Sequence, residues 1–312
     1  MYLFSIVLPT YNSSRFIDET VSSLLAQECG DYEIVIVDDG SADDTFDRLK
    51  KYKDRIRVYR QENKGSAAAR NRGILNASGE YIASFDHDDI LFPHALEIYS
   101  EVIKFFNHPP IIVAKIRFFQ QTKDLVPGSW DGNSINCARF ECFFKKNESF
   151  ATFNSALIIR KDVLAGIHGY PLNSFGMDDS RMLFRIGNES PAIAIKYPVT
   201  VGYRQHDSNW SHNVDYLTNG IVAFIEDERR NRYPGGKKLK FDRRGLIGTN
   251  VLSMFKYYLG FRNLDRIIRI ILHLRTMIFI GIIRKLASYG YKSEDRTIQI
   301  GPSLDTQRLV VK

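Results

Sequence analysis

The chain has 312 residues, 44% of them hydrophobic and 25% charged, enough for one or two domains with a sizeable core and too much for a small stapled scaffold. Cys29, Cys137 and Cys142 form an odd set without zinc-like spacing, which argues against a disulfide framework and for a reducing, cytoplasmic setting. The formal charge of +7 is unevenly placed: residues 1–228 carry 24 Lys and Arg against 31 Asp and Glu, residues 229–292 carry 16 against 2, and the last twenty carry 3 against 3. A general nucleic-acid binder would not keep its larger part acidic, so no nucleic acid is expected as a partner and the late basic stretch needs its own explanation.

Residues 1–9 show no basic n-region and no small-residue cleavage site, and read as a buried strand rather than a signal peptide. Short, mostly apolar runs at 5–8, 33–37, 56–59 and 81–85 suit strands buried on both faces. Between them lie helix-period segments: Phe16, Ile17, Val21, Leu24 and Leu25, then 45–52, then 67–77. This alternation predicts right-handed βαβ units and a doubly wound, mostly parallel α/β sheet, in which ligands sit beyond the carboxyl ends of the strands. Residues 111–119 and 156–159 read as further strands, 162–175 as loop and turn, and 181–186 as part of a helix. Beyond His212 the chain reads as helical to about Tyr291, broken at Pro234, Gly235 and Gly236.

The strand ends carry the polar residues. Pro9, Thr10, Tyr11 and Asn12 follow the first strand, Asp38, Asp39, Gly40 and Ser41 the second, and Asp86, His87, Asp88 and Asp89 the fourth. There is no glycine triplet after the first strand, which disfavours a dinucleotide-dependent dehydrogenase. Asp86 and Asp88, two apart in extended chain, point the same way and offer hard oxygens to Mn²⁺ or Mg²⁺. The competing reading is that 86–89 cap a helix beginning near Phe92. Three acids in four residues repel one another without a cation, which favours the metal.

Ser41 with Asp44 fits a capping box for the second helix, so one of Asp38 and Asp39 serves the turn and the other is free to accept from a ribose hydroxyl or a base N–H. Asn63, Lys64 and Gly65, then Arg70, Asn71 and Gly73, would by themselves be a solvated helix start. Facing an acid-bound metal, the same donors suit a diphosphate or a nucleobase. Asp178 with Asp179, and Arg204 with His206, imply no function on their own.

Taken in order, these residues resemble the inverting glycosyltransferase family 2, with the GT-A fold. The likeness runs through residues 6–12, through Val37, Asp38, Asp39, Gly40, Ser41, Asp43 and Thr45, through Asn63, Gly65, Ala69, Arg70, Asn71 and Gly73, through 79–82, and to an Asp-x-Asp motif at Asp86 and Asp88. It continues more weakly at 157–161, Gly169 and Tyr170, at Asp178, Asp179 and Arg185, and at Tyr203, Arg204 and His206, and covers roughly residues 1–212.

The resemblance implies a nucleotide-diphosphate sugar donor, most often uridine-linked, held by Asp39, Pro9, Thr10, Tyr11, Asn12, Asn63, Gly65, Arg70, Asp86, His87, Asp178 and Arg204. It also implies a Mn²⁺ or Mg²⁺ ion on Asp88, Asp86 and His206, and Asp179 as the base that deprotonates an acceptor hydroxyl. The acceptor would be a glycan or a lipid-linked glycan. A sugar-1-phosphate nucleotidyltransferase is the alternative, but it needs a Gly-rich, basic triphosphate loop where Pro9 to Asn12 stand. A catalytically inactive nucleotide- or glycan-binding relative is disfavoured by the presence of both Asp88 and Asp179.

The expected organisation is a catalytic domain at 1–212, with a nucleotide-binding half at 1–110 and an acceptor-binding half at 111–212, then a basic helical extension at 213–292 and a polar tail at 293–312. Residues 262–286 place Arg262, Arg266, Arg269 and His273 on one helical face. The longest stretch there without Lys, Arg or His is the eight residues 276–283, short of the about 20 needed to cross a bilayer. Two readings follow: a helix packed on the catalytic domain or in a homodimer, or a peripheral helix on an anionic membrane surface. In the second, Arg229, Arg230, Arg232, Lys237, Lys238, Lys240, Arg243 and Arg244 would each add roughly 1 kcal/mol of attraction.

Overall fold

The computed structural model describes residues 2–125, 130, 132–140, 153–172, 176–187, 191–209, 213–260, 280, 283 and 294–299. Strands β1 (Phe4–Thr10), β2 (Tyr32–Asp38), β3 (Arg57–Arg60) and β4 (Tyr81–Ser84) alternate with helices α1 (Ile17–Leu25), α2 (Thr45–Lys50) and α3 (Ser66–Asn76). Then come β5 (Ile90–Leu91), α4 (Ala95–Phe105), β6 (Ile111–Val113), β7 (Ile116–Phe119), β8 (Ser134–Phe140), β9 (Leu157–Arg160), α5 (Lys161–Gly166), α6 (Asp178–Ile186), β10 (Ala192–Tyr197), β11 (Val201–Arg204), α7 (Val214–Arg229), α8 (Lys240–Gly260) and β12 (Glu294–Gln299).

Nine strands form one sheet in the order β12-β8-β10-β6-β9-β4-β1-β2-β3, and seven of them run one way while β8 and β9 run against them. β1 is buried along its whole length because both faces of the sheet are covered. Its alternate residues feed two cores. Val7, with Val35 of β2, packs toward Ile74 of α3, Leu183 of α6 and Phe224 of α7. Ile6 and Leu8 pack toward Val21 of α1 and Leu96 and Val102 of α4. Helix α3 approaches β1 closely because Gly73 faces it: a Cβ there would stand 2.4 Å from Val7 Cγ1. A second sheet, β5-β11-β7, abuts the carboxyl end of β4.

Several expectations need correction. Residues 111–119 are two strands in two sheets, because the chain leaves the large sheet at Ala114, whose N–H bonds to Ala156 O, and Lys115 O is then claimed by Thr200 N–H of the β10–β11 connection. The segment 162–175 contains most of helix α5, which is followed by the positive-φ residues His168 and Gly169. The Ser41–Asp44 capping box does not form. Ser41 Oγ donates to Asp38 and accepts from Asn12 N–H (2.9 Å), while Asp43 accepts from Thr45 N–H (3.0 Å). Nor do the acids at 86–89 cap α4, which begins only at Ala95 and has no side-chain cap. In the expected polar tail, 294–299 form the edge strand β12 on β8, with Ile298 buried.

The basic extension is less basic at its surface than its composition suggests. Arg243 is buried, giving Nε to Glu228 Oε2 (2.7 Å) and Nη1 to the carbonyls of Pro234 (2.8 Å) and Gly236 (3.0 Å). Arg232 pairs with Asp227 (2.8 Å), Arg244 with Glu228 (3.5 Å) and Arg230 with Glu226 (3.6 Å). Counting charge from residue 229 separates these cations from acids just upstream. Lys237, Lys238 and Lys240 are exposed, beside the exposed ring of Phe241. Ile247 and Val251 of α8 join the core shared with α6 and α7, so this part of the extension packs on the sheet. The pattern at 262–286 lies almost wholly outside the described residues. Among the described residues no helix is long and apolar enough to cross a membrane.

Candidate active site

The carboxyl ends of β1, β2 and β4 gather the polar residues in three knots. The first is at the end of β2. Asp38 accepts from Ser41 N–H (3.2 Å) and pairs with Arg60 (3.0 Å), so it serves the turn. Asp39 lies beside β1, its N–H on Thr10 O (2.8 Å), and binds the next connection: Oδ1 accepts from Gln61 Nε2 (2.7 Å) and Lys64 N–H (2.9 Å), Oδ2 from Gly65 N–H (2.8 Å). Asp39 is therefore not the free acceptor expected from the sequence. It shapes the loop on which Asn63 stands exposed and Gly65, at φ +86, starts α3. Pro9 is buried within β1, Tyr11 and Asn12 are exposed, and buried Thr10 Oγ1 has no partner.

The second knot is Arg70, on the buried face of α3. Its guanidinium bonds Asp86 and Asp178 (3.3 Å), 108 residues away, and lies 5.5 Å from the Tyr170 ring centroid. Burial works against the cation, yet the charges of Asp86 and Asp178 outweigh it and raise the Arg70 pKa. Asn71, read as a ligand donor, instead clasps the backbone of Tyr170, donating to its carbonyl (2.9 Å) and accepting its N–H (2.8 Å).

The third knot joins Asp88 to His206, Oδ2 to Nε2 at 2.8 Å, with the imidazole ring against Phe16 at 4.7 Å. Arg204 does not face this space. Its side chain bonds Asp88 O (2.7 Å), Thr122 Oγ1 (3.1 Å) and Glu19 Oε2 (2.7 Å), with Phe16 and Phe119 rings at 4.7 and 4.6 Å. Asp89 is internal as well, accepting from Arg204 N–H (2.9 Å) and Ser155 Oγ (2.5 Å). Ser155, which the sequence did not flag, also accepts from Asp86 N–H (3.0 Å) and ties β4's end to β9.

Electrostatics separates the acids. Burial opposes ionisation of Asp88, but His87 and His206 outweigh it and hold the carboxyl below its usual range. Burial raises Asp86, with the Asp88 charge adding and Arg70 opposing. Burial, then the charges of Asp88 and Asp86, push Asp89 well up. Asp179 is distinct. Burial and then the Asp178 charge push its carboxyl up to about 7, and Ser180 N–H (2.6 Å) is its hydrogen-bond donor. Arg185, which completes the motif spacing after Asp178 and Asp179, is half-buried, and burial lowers its pKa against the charge of Asp227.

For a divalent cation the donor set is one hard oxygen and one imidazole nitrogen, Asp88 and His206, already converged. Asp86 does not complete that set: among the described residues no carboxylate or imidazole comes within 4.8 Å of both ligand atoms, and Asp86 is held by Arg70. Two protein ligands leave room for diphosphate oxygens, which fits Mn²⁺ or Mg²⁺.

Residues 5–165, about half of the chain, match the family model described as glycosyl transferase family 2. The chain belongs to glycosyl transferase family 2. Among its curated relatives, glycosyltransferase GlyG of Streptococcus pneumoniae serotype 4 is 43% identical over 105 residues, 32% of this chain and 35% of that protein. The putative teichuronic acid biosynthesis glycosyltransferase TuaG of Bacillus subtilis is 44% identical over 91 residues, 28% of this chain and 36% of that protein. The matched part is thus about a third of each of these relatives' length. Staphylococcus aureus TarS 1–349, solved with UDP-GlcNAc, superposes with a TM-score of 0.65 at 15% identity, covering 93% of this chain and 89% of that one. A mannosyltransferase of Pyrobaculum calidifontis, solved with GDP-Man and Mn²⁺, gives 0.51 at 16% identity, over 92% and 88%. The large mostly parallel sheet flanked by helices is the GT-A fold of these neighbours.

Proposed function

We propose that the protein is a metal-dependent inverting glycosyltransferase that moves a sugar from a nucleotide-diphosphate donor to a hydroxyl of a glycan or lipid-linked glycan. The observation that carries this is the meeting at one rim of Asp88 with His206 and, through Arg70, of Asp86 with Asp178 and its neighbour Asp179. Uridine diphosphate is favoured as the carrier by the TarS complexes with UDP and UDP-GlcNAc, and polysaccharide synthesis by the likeness to TuaG, a teichuronic acid biosynthesis glycosyltransferase.

In this reading the backbone of Pro9, Thr10, Tyr11 and Asn12 and the loop of Asp39, Asn63 and Gly65 frame the base and ribose. Thr10 Oγ1, buried without a partner, is a hydroxyl such a ligand would satisfy. Arg70, Asp86 and His87 line the phosphate side. Asp88 and His206 would hold a divalent cation, which when bound would supply Lewis-acid neutralisation of the diphosphate. Asp179 takes the acceptor's hydroxyl proton while the acceptor oxygen bonds to the anomeric carbon. The bond from that carbon to the diphosphate oxygen breaks, and its electron pair leaves with the nucleotide. Attack from the opposite face inverts the centre. Arg204, packed behind Asp88, positions that residue rather than the donor. Membrane contact, if the acceptor is lipid-linked, would rest on Lys237, Lys238 and Lys240.

A melting-temperature screen of nucleotide sugars with Mn²⁺ tests the donor, and product stereochemistry tests the displacement. A donor-induced shift abolished by chelator is expected. No shift with any nucleotide sugar, or a retained anomeric configuration, would overturn the reading.

A further inference from the structure

Asp178 is held from two helices. Arg70 and Ser66 of α3 reach Oδ2, each at 3.3 Å, and Tyr216 in the first turn of α7 donates its hydroxyl to Oδ1 at 2.9 Å. Helix α7 gets that close because glycines meet: a Cβ on Gly176 would fall 2.1 Å from Tyr216 O, and one on Gly220 2.8 Å from the Gly176 carbonyl carbon. At the other end of α7, Asp227 Oδ2 accepts from buried Arg181 of α6 (3.0 and 2.8 Å). The first turns of the helix that begins with Asp178 and Asp179 are thus tied, through Asp178 and Arg181, to both ends of α7, which lies outside the family match at 5–165.

Resting on the glycosyltransferase reading, we propose that Tyr216 is a positioning residue for transfer: its hydroxyl and Arg70 occupy Asp178, which leaves Asp179 as the carboxylate that meets the acceptor. Helix α7 then belongs to the catalytic unit, whose boundary lies after it rather than at 212. The phenol is suited to this. Burial, then the Asp178 and Asp179 charges, push its pKa up, so it stays a donor. The charged and titratable groups acting on the two acids are Arg70 on α3, Asp86 beyond β4, Tyr170, and Tyr216 on α7, with the Ser66 hydroxyl as a neutral donor. Removing the hydroxyl that shields the Asp178 charge makes Asp179 hold its proton more tightly.

The test is Tyr216→Phe in the full chain. Transfer is expected to show kcat lowered about 10- to 100-fold with donor KM within about twofold, and no further loss when Tyr216→Phe is added to Asp178→Asn. In protein labelled with ¹³C at the Asp carboxyls, the Asp179 titration should move upward from about 7. An unmoved titration, or equal additive losses in both backgrounds, overturns the proposal. The titration needs no turnover, so a wild-type protein inert toward every nucleotide sugar would remove the enzymatic reading while this contact is judged on its own.

Discussion

Asp88 Oδ2 stands 2.8 Å from His206 Nε2 although 118 residues separate them in the chain. In the proposed function this buried carboxylate and imidazole, with the Asp88 backbone held from behind by Arg204, would hold one cation. Asp88→Ala is expected to abolish metal-dependent donor binding, and His206→Ala to weaken cation affinity at least about tenfold. Calorimetry of UDP binding with Mn²⁺, with and without chelator, reads both. Donor affinity indifferent to chelator would remove the metal from this pair.

As the proposed base, Asp179 would give transfer a pH signature. A base must be ionised, so kcat should rise with pH through about 7 and fall tenfold per unit below it. Asp179→Asn should retain nucleotide binding and lose about 10²- to 10⁴-fold in turnover. Stability runs the other way. The folded carboxyl binds its proton more tightly than an unfolded Asp, so stability is lost as pH rises from 3.8 toward about 7. The Asn variant should therefore melt higher than wild type at pH 8. A pH-rate profile with its acid limb near 4, or an unchanged melting temperature, contradicts this assignment.

β1, β2 and β4 were legible because strands buried on both faces read as apolar runs, and the rim acids because each follows such a run directly, whereas the edge strand β3 has no buried residue and showed only through Val58 and Tyr59 beside Ile56. The segments β8, β10 and β11 were not. In β8 (Ser134–Phe140), buried and half-buried residues mix, and β11 (Val201–Arg204) buries an arginine, so neither shows the apolar run that marked β1. Residues recognised by motif, such as Arg204 and Asn71, turned out to brace the site, because a motif preserves spacing and not the direction a side chain takes. Ser155 and Tyr216 gave no local signal at all. Their partners, Asp86 and Asp178, lie 69 and 38 residues away, and only the folded chain brings them together.

Arg70 is the structural hinge of the site because one guanidinium serves two acids. Arg70→Ala leaves Asp86 and Asp178 without their shared cation, and a loss of about 3–5 kcal/mol is expected. Arg70→Lys offers a point charge in place of a fork and should recover only part of it. Urea denaturation of the two variants reads the difference. Equal stability of wild type and Arg70→Ala would mean that both acids protonate at no cost.

The basic extension yields a prediction that separates its buried cations from its surface ones. Arg243 is 1% exposed and committed to Glu228, so Arg243→Ala should cost about 3–5 kcal/mol of stability. If the protein binds anionic vesicles, that variant should bind them as the wild type does at temperatures where it stays folded. Replacing exposed Lys237, Lys238 and Lys240 together with Gln should leave the melting temperature nearly unchanged and remove about 3 kcal/mol of lipid attraction, roughly 100-fold in partitioning. Flotation on vesicles with and without phosphatidylserine distinguishes the cases. Vesicle binding carried equally by the triple variant would place any membrane contact elsewhere on the chain.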